Sequence, residues 1–138
     1  MFDEKKHIDR QTNKEYTSIG IENKNVSHLY FTEFSCDITS EKFIINVMED
    51  DRTVSKDDFT KHISHQCKFY LYDIQKKEAL FIDDAEYYQG TVCAGNNHFY
   101  YTKLDKAYKF DIAALTKEEI TANPEGFHFY GVPSVTRD

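Results

Sequence analysis

Proline and glycine are scarce in this chain, two and five of its 138 residues, which argues against a disordered or low-complexity protein. Cysteine is scarce as well. Cys36, Cys67 and Cys93 are far apart, odd in number and free of any CxxC pair, which fits reduced, buried thiols better than a disulfide framework. Long apolar runs are missing: Phe43-Ile44-Ile45 stops at Asn46, and no run approaches the roughly 20 residues of a membrane-spanning helix. The first residues, Met1-Phe2-Asp3-Glu4-Lys5-Lys6-His7, are charged where a secretory signal needs an apolar core. A cytoplasmic location is the expectation. Basic residues are in deficit, 17 Lys and Arg against 24 Asp and Glu, and a net charge of −7 is the wrong sign for binding nucleic acid.

What is present suits one folded domain. Apolar residues make up 40% and charged residues 30% of the chain, both near globular averages, and the length fits a single hydrophobic core. Residues 1–14 are polar and aperiodic and read as a loosely ordered N-terminal arm; residues 15–138 read as one domain, with no linker and no internal repeat at solenoid or propeller periods. From Tyr16 onward, short runs rich in β-branched and aromatic residues recur between polar breaks, the pattern of strands. Strands are expected at Thr17–Glu22, His28–Cys36, Phe43–Met48, Lys68–Ile74, Ala79–Ile82, Tyr88–Val92, His98–Lys103, Tyr108–Ile112 and Phe127–Val132. Hairpin turns are expected at Gln75-Lys76-Lys77 and at Gly95-Asn96-Asn97, where Gly and Asn tolerate positive φ.

Two segments break the strand pattern. Over Ser55–Lys68, Ser55 can cap, and Phe59, Ile63 and Cys67 share one helical face. A shorter helix is expected from Thr116, which forms a capping-box pattern with Glu119, to a stop before Pro124. The fold class read from these signals is α+β: a mostly antiparallel sheet, open or closed into a barrel, with a central and a short C-terminal helix packed on it.

Motifs with chemical content are few. His62 and His65 lie three apart on the expected helix, but no HExxH, CxxC or carboxylate set completes a ligand shell, so neither a metal nor another cofactor is expected. Cys93 lies between Val92 and Ala94, in the company of an inert thiol. The pairs Asp50-Asp51, Asp57-Asp58 and Asp83-Asp84 do not make dyads, because consecutive residues on a strand face opposite ways. No glycine-rich phosphate loop can be assembled.

More informative is the stretch Asp83–Thr102, with Asp83, Asp84 and Glu86, no Lys or Arg, and Tyr87, Tyr88, Phe99, Tyr100 and Tyr101. One of Tyr100 and Tyr101 must point away from any one core. The interval Phe31–Thr60 is also acidic, with Glu33, Asp37, Glu41, Glu49, Asp50, Asp51, Asp57 and Asp58 against Lys42, Arg52 and Lys56. Tyrosines beside carboxylates suit a docking face for a basic protein, the rings anchoring and the charges steering. The expectation is therefore a non-enzymatic inhibitor of the immunity-protein kind, occluding a basic toxin such as a nuclease through Asp50, Asp51, Asp83, Asp84, Glu86, Tyr87 and Tyr88. Two alternatives stand beside it: an antiparallel barrel that binds or transforms a small ligand, and a homo-oligomer that buries its tyrosines against itself.

Overall fold

Antiparallel pairing accounts for every regular element in the computed structural model, which describes residues 2–28, 35–48, 67–85, 90–93, 95–127 and 129. Ten strands follow one another: β1 (Asp3–Ile8), β2 (Glu15–Gly20), β3 (Asn25–His28), β4 (Lys42–Met48), β5 (Cys67–Asp73), β6 (Glu78–Ala85), β7 (Gly90–Cys93), β8 (His98–Lys103), β9 (Lys106–Asp111) and β10 (Thr116–Ala122). They form a two-stranded sheet β1-β2 and two four-stranded sheets, β3-β4-β5-β6 and β7-β8-β9-β10, each in sequential order. Four-stranded sheets of this kind, repeated along a chain, are the unit of β-propellers.

The α+β expectation is corrected: no helix occurs among the described residues. The expected C-terminal helix is strand β10, paired with β9 from Thr116↔Asp111 to Ala122↔Lys106. Thr116–Ala122 holds one large apolar residue, Ile120, and so has no apolar stripe to repay helix nucleation, whereas β9 offers a row of backbone partners. Of the expected central helix, Cys67 and Lys68 belong to β5, and residues 55–66 with His62 and His65 lie outside the described residues. The barrel form is also set aside, since among the described residues the three sheets are separate and open. Within the expected arm, Asp3–Ile8 is β1, paired with β2 along its length.

Alternation along β4 and β5 feeds two cores on opposite faces of the β3–β6 sheet. One face contributes Ile44, Cys67, Phe69 and Leu71, which pack with Val92, Phe99, Tyr101, Phe110 and Ile112 of the β7–β10 sheet. Phe69 meets Phe99 edge-on with ring centroids 5.1 Å apart. The other face contributes Phe43, Ile45, Val47, Tyr70 and Tyr72, covered by Phe2, Ile19 and Ile21 from the β1-β2 hairpin. Strand β7 is buried throughout and β10 exposed throughout, so the β7–β10 sheet runs from interior to surface.

The backbone also shows a repeat that the sequence reading did not detect. Lys68-Phe69-Tyr70-Leu71-Tyr72-Asp73-Ile74 recurs 38 positions later as Lys106-Ala107-Tyr108-Lys109-Phe110-Asp111-Ile112. Both copies are the third strand of their sheet running into a turn. In the first turn the Asp73 carboxylate accepts from the Lys76 N–H at 3.0 Å, and Lys77 takes φ 58°. In the second Asp111 accepts from Ala113 and Ala114 at 2.8 Å, and Leu115 takes φ 57°. Each returning strand then bulges at the same place, leaving Ile82 and Ile120 outside the register. The β1-β2 turn is built alike, with Asp9 accepting from Gln11 and Thr12 and Asn13 at φ 57°.

Candidate functional site

Five of the seven residues expected to contact a partner, Asp50, Asp51, Glu86, Tyr87 and Tyr88, lie outside the described residues. Their attachment points are described: Met48 pairs with Cys67, and Cys67 with Ala85, so β4 ends, β5 begins and β6 ends in one row. In sequence, the acidic segment follows Met48 and the tyrosine-bearing segment follows Ala85. Asp83 and Asp84 sit beside that row on β6.

Asp83 is buried. Its Oδ2 accepts the Tyr101 hydroxyl at 2.8 Å and the Lys117 ammonium at 2.9 Å; its Oδ1 accepts from Lys103 at 3.0 Å and from the Asp84 backbone N–H at 2.9 Å. Burial pushes the carboxyl up, but the hydrogen bonds from Lys117, Tyr101 and Lys103 more than offset it and hold the pKa at about 2. Burial and the bond to Asp83 push the Tyr101 phenol far above its ordinary value. Lys117 also lies 5.5 Å from the centre of the Tyr108 ring, which stacks on Tyr101 at 5.4 Å. A carboxylate held ionised and a phenol held protonated exchange no proton near neutral pH. The group is a clasp between the two four-stranded sheets.

Asp84 is different. Its side chain is 65% exposed, and Lys103 reaches it at 2.9 Å from the clasp below. Of the two described acids expected at a docking face, one is thus enclosed and already neutralised, and the other is presented to solvent. Sequence reasoning missed Tyr101, Lys103 and Lys117 as partners of Asp83. Tyr101 and Lys117 carried one usable signal, since alternation puts both on the face of Phe99 and Phe110. Tyr101 is the inward member of its pair and Tyr100 the outward one.

Elsewhere, Cys93, His98 and Asp111 stand in one row across β7, β8 and β9. His98 Nε2 lies 3.4 Å from Asp111, and its Nδ1 3.4 Å from the Tyr100 hydroxyl. Both ring nitrogens thus have neighbours other than Cys93. Among the described residues no group of three His, Cys, Asp or Glu side chains is placed to hold a metal ion, and no helix is long and apolar enough to cross a membrane.

No protein family and no curated protein matches the chain. Solved structures do. An oligogalacturonate lyase in complex with manganese superposes with a TM-score of 0.68 at 15% identity, over 95% of this chain and 32% of the lyase. An oligogalacturonate lyase from Vibrio parahaemolyticus gives 0.68 at 16% identity over the same shares. The chain spans about a third of the length of each, and the likeness is one of fold.

Proposed function

We propose that the chain is a non-catalytic binding module for a basic protein, engaged at the end of the β3–β6 sheet where Asp84 is exposed. The observation that supports this reading is the difference within Asp83-Asp84: the inner acid is enclosed between Lys103 and Lys117, and the outer one, paired on one side with Lys103, keeps a side chain 65% exposed to an incoming base. In sequence, Asp50 and Asp51 come just after Met48 and Glu86, Tyr87 and Tyr88 just after Ala85, and the whole chain carries −7. A field of that sign speeds the approach of a basic partner. The narrower toxin-inhibitor expectation has no support from the fold or the comparisons and is not carried forward. A polyanionic ligand such as an oligogalacturonate meets the wrong charge here, and Lys103, Lys106, Lys109 and Lys117 are each already paired with an acid.

The test is association kinetics with a lysine-rich peptide, at low salt and at 0.15 M, where the Debye length is about 8 Å. Asp84→Lys and Glu125→Lys change net charge equally, and both positions are exposed. Asp84→Lys should slow association well beyond Glu125→Lys, and the gap should narrow with salt. Equal effects at the two positions would remove the reading.

A further inference from the structure

β6 is the last strand of its sheet, and among the described residues nothing pairs with its outer edge. The 38-residue repeat supplies an internal comparison, because β10 is the last strand of the next sheet and is built on the same turn and bulge. At equivalent positions β10 carries Thr116, Lys117, Glu118 and Glu119, and β6 carries Glu78, Ala79, Leu80 and Phe81. Charged residues on an edge strand deter further pairing. On β6 that protection is replaced by Leu80 and Phe81, exposed at 43% and 48% although they point to opposite faces of the sheet.

Each face of that edge also borders an open hollow. On the Leu80 side, Leu71, Leu80 and Leu115 line one of about 240 Å³, rimmed by Lys42, Lys76 and Asp73. On the Phe81 side, Phe2, Ile21, Tyr70 and Ala79 line one of about 550 Å³, rimmed by Lys77 and Glu78. A strand laid along an edge sends alternate side chains to its two faces, and hollows on both sides are what such a strand fills. Charge decides between occupants. The exposed charges of β6 are Glu78 and Asp84, with no base on the strand, so edge-to-edge antiparallel pairing with a second copy would set acid against acid.

We propose that the β6 edge over Glu78–Ile82 accepts an added strand from a partner protein, an extended segment with apolar side chains in its middle and Lys or Arg at its ends. This rests on the reading of a basic partner and specifies how it is held: backbone hydrogen bonds to β6, apolar side chains in the two hollows, and bases against Glu78 and Asp84.

The experiment titrates the full chain with a synthetic peptide, Lys-Thr-Val-Tyr-Val-Thr-Lys, and with two derivatives. One is N-methylated at alternate residues on the edge that would face β6; the other has both lysines replaced by glutamate. The parent peptide should bind and shift the β6 amide resonances. N-methylation should cost at least about tenfold in affinity, because it removes the strand hydrogen bonds and keeps the side chains. Leu80→Lys and Phe81→Lys, at exposed positions where the fold tolerates charge, should each weaken the parent peptide. If the N-methylated peptide binds as well as the parent, or the parent does not bind, strand addition is wrong. Weakening by Asp84→Lys without any effect of N-methylation would leave the charge-based reading standing alone. A glutamate-ended peptide that binds as well as the parent would instead remove the basic partner.

Discussion

Asp83 and Asp84 are neighbours with opposite fates, because a strand sends consecutive side chains to opposite faces, and Asp83 meets Tyr101, Lys103 and Lys117 of the β7–β10 sheet while the Asp84 side chain stays exposed. Asp83→Asn should leave Lys103 and Lys117, both partly exposed, facing a neutral amide and cost about 1 to 3 kcal/mol, read from denaturant unfolding. Asp83 also sets a pH dependence with a definite sign. Its folded pKa, about 2, is depressed from the ordinary 3.8, so its stabilisation is complete above the unfolded value and is lost as pH falls from 3.8 through 2. The amount is about 2 kcal/mol. Thermal melts from roughly pH 5 down to pH 2 should therefore fall less steeply for Asp83→Asn than for the parent. Asn46 is the contrasting buried polar residue: its Nδ2 donates to Ser27 Oγ at 3.4 Å, while among the described residues its enclosed Oδ1 has no hydrogen-bond partner. Replacing it with leucine removes an unsatisfied acceptor and should leave stability within about 1 kcal/mol of the parent or raise it. Ile44→Ala, on the same face of the same strand, should lose about 2 to 5 kcal/mol. Neither fate was legible in the sequence, since each depends on what another sheet places above the residue. Lys117, which decides Asp83, lies 34 residues from it along the chain.

Strands, by contrast, were largely legible. Alternating β-branched and aromatic residues marked β4, β5 and β8 closely, and the turns at Gln75-Lys76-Lys77 and Gly95-Asn96-Asn97 are present, with Lys77 at φ 58° and Asn97 at φ 59°. The capping-box pattern at Thr116 and Glu119 misled, because it reports what a helix start could use and not whether an apolar face follows. A better signal lay just upstream: Phe110-Asp111-Ile112 repeats Tyr72-Asp73-Ile74, and the turn after Asp73 was already recognised as a hairpin. The repeat escaped notice because its spacing holds only for the outer two strands of each sheet. Between β4 and β5 the first sheet carries residues 49–66, whereas β8 passes to β9 through Leu104 and Asp105, so no single period spans both units. The tightest constraint on an element is at β7. A Cβ on Gly90 would lie 2.4 Å from a Phe99 ring carbon and 2.9 Å from the Tyr100 carbonyl oxygen, and the second of these belongs to the backbone of the paired strand. Gly90→Ala should destabilise by about 1 to 3 kcal/mol in denaturant unfolding, while Gly20→Ala, with nothing near its Cβ, should be close to neutral.

At the scale of the molecule the chain is a stack of three sheets whose two interfaces differ in kind. Between the four-stranded sheets lies an aromatic core built on Phe69, Phe99, Tyr101 and Phe110, closed at one side by the Asp83 clasp. Between the β3–β6 sheet and the β1-β2 hairpin the cover is narrower. Phe2, Ile19 and Ile21 pack on Tyr70, Tyr72 and Phe43, and Glu4 accepts hydrogen bonds from Tyr72 and Lys77, both at 2.6 Å. Those bonds, the one from Lys77 first, hold the Glu4 carboxyl below its ordinary range, but Lys77 is exposed and the ion pair is screened. A two-stranded sheet is marginal without a surface to lie on, so the hairpin depends on this contact far more than the larger sheets depend on it. The two interfaces should consequently open at different free energies. In native-state hydrogen exchange, amides of β1 and β2 should exchange through a local opening of low free energy, while those of β5 and β8 should exchange only by global unfolding. Phe2→Ala should speed exchange in the hairpin and leave β5 and β8 nearly unchanged. Phe69→Ala, at the aromatic core, should cost about 3 to 5 kcal/mol and lower protection in β5 and β8 together. If Phe2→Ala instead lowers protection equally in all three sheets, the stack unfolds as one unit and the hairpin is as firmly built in as the rest.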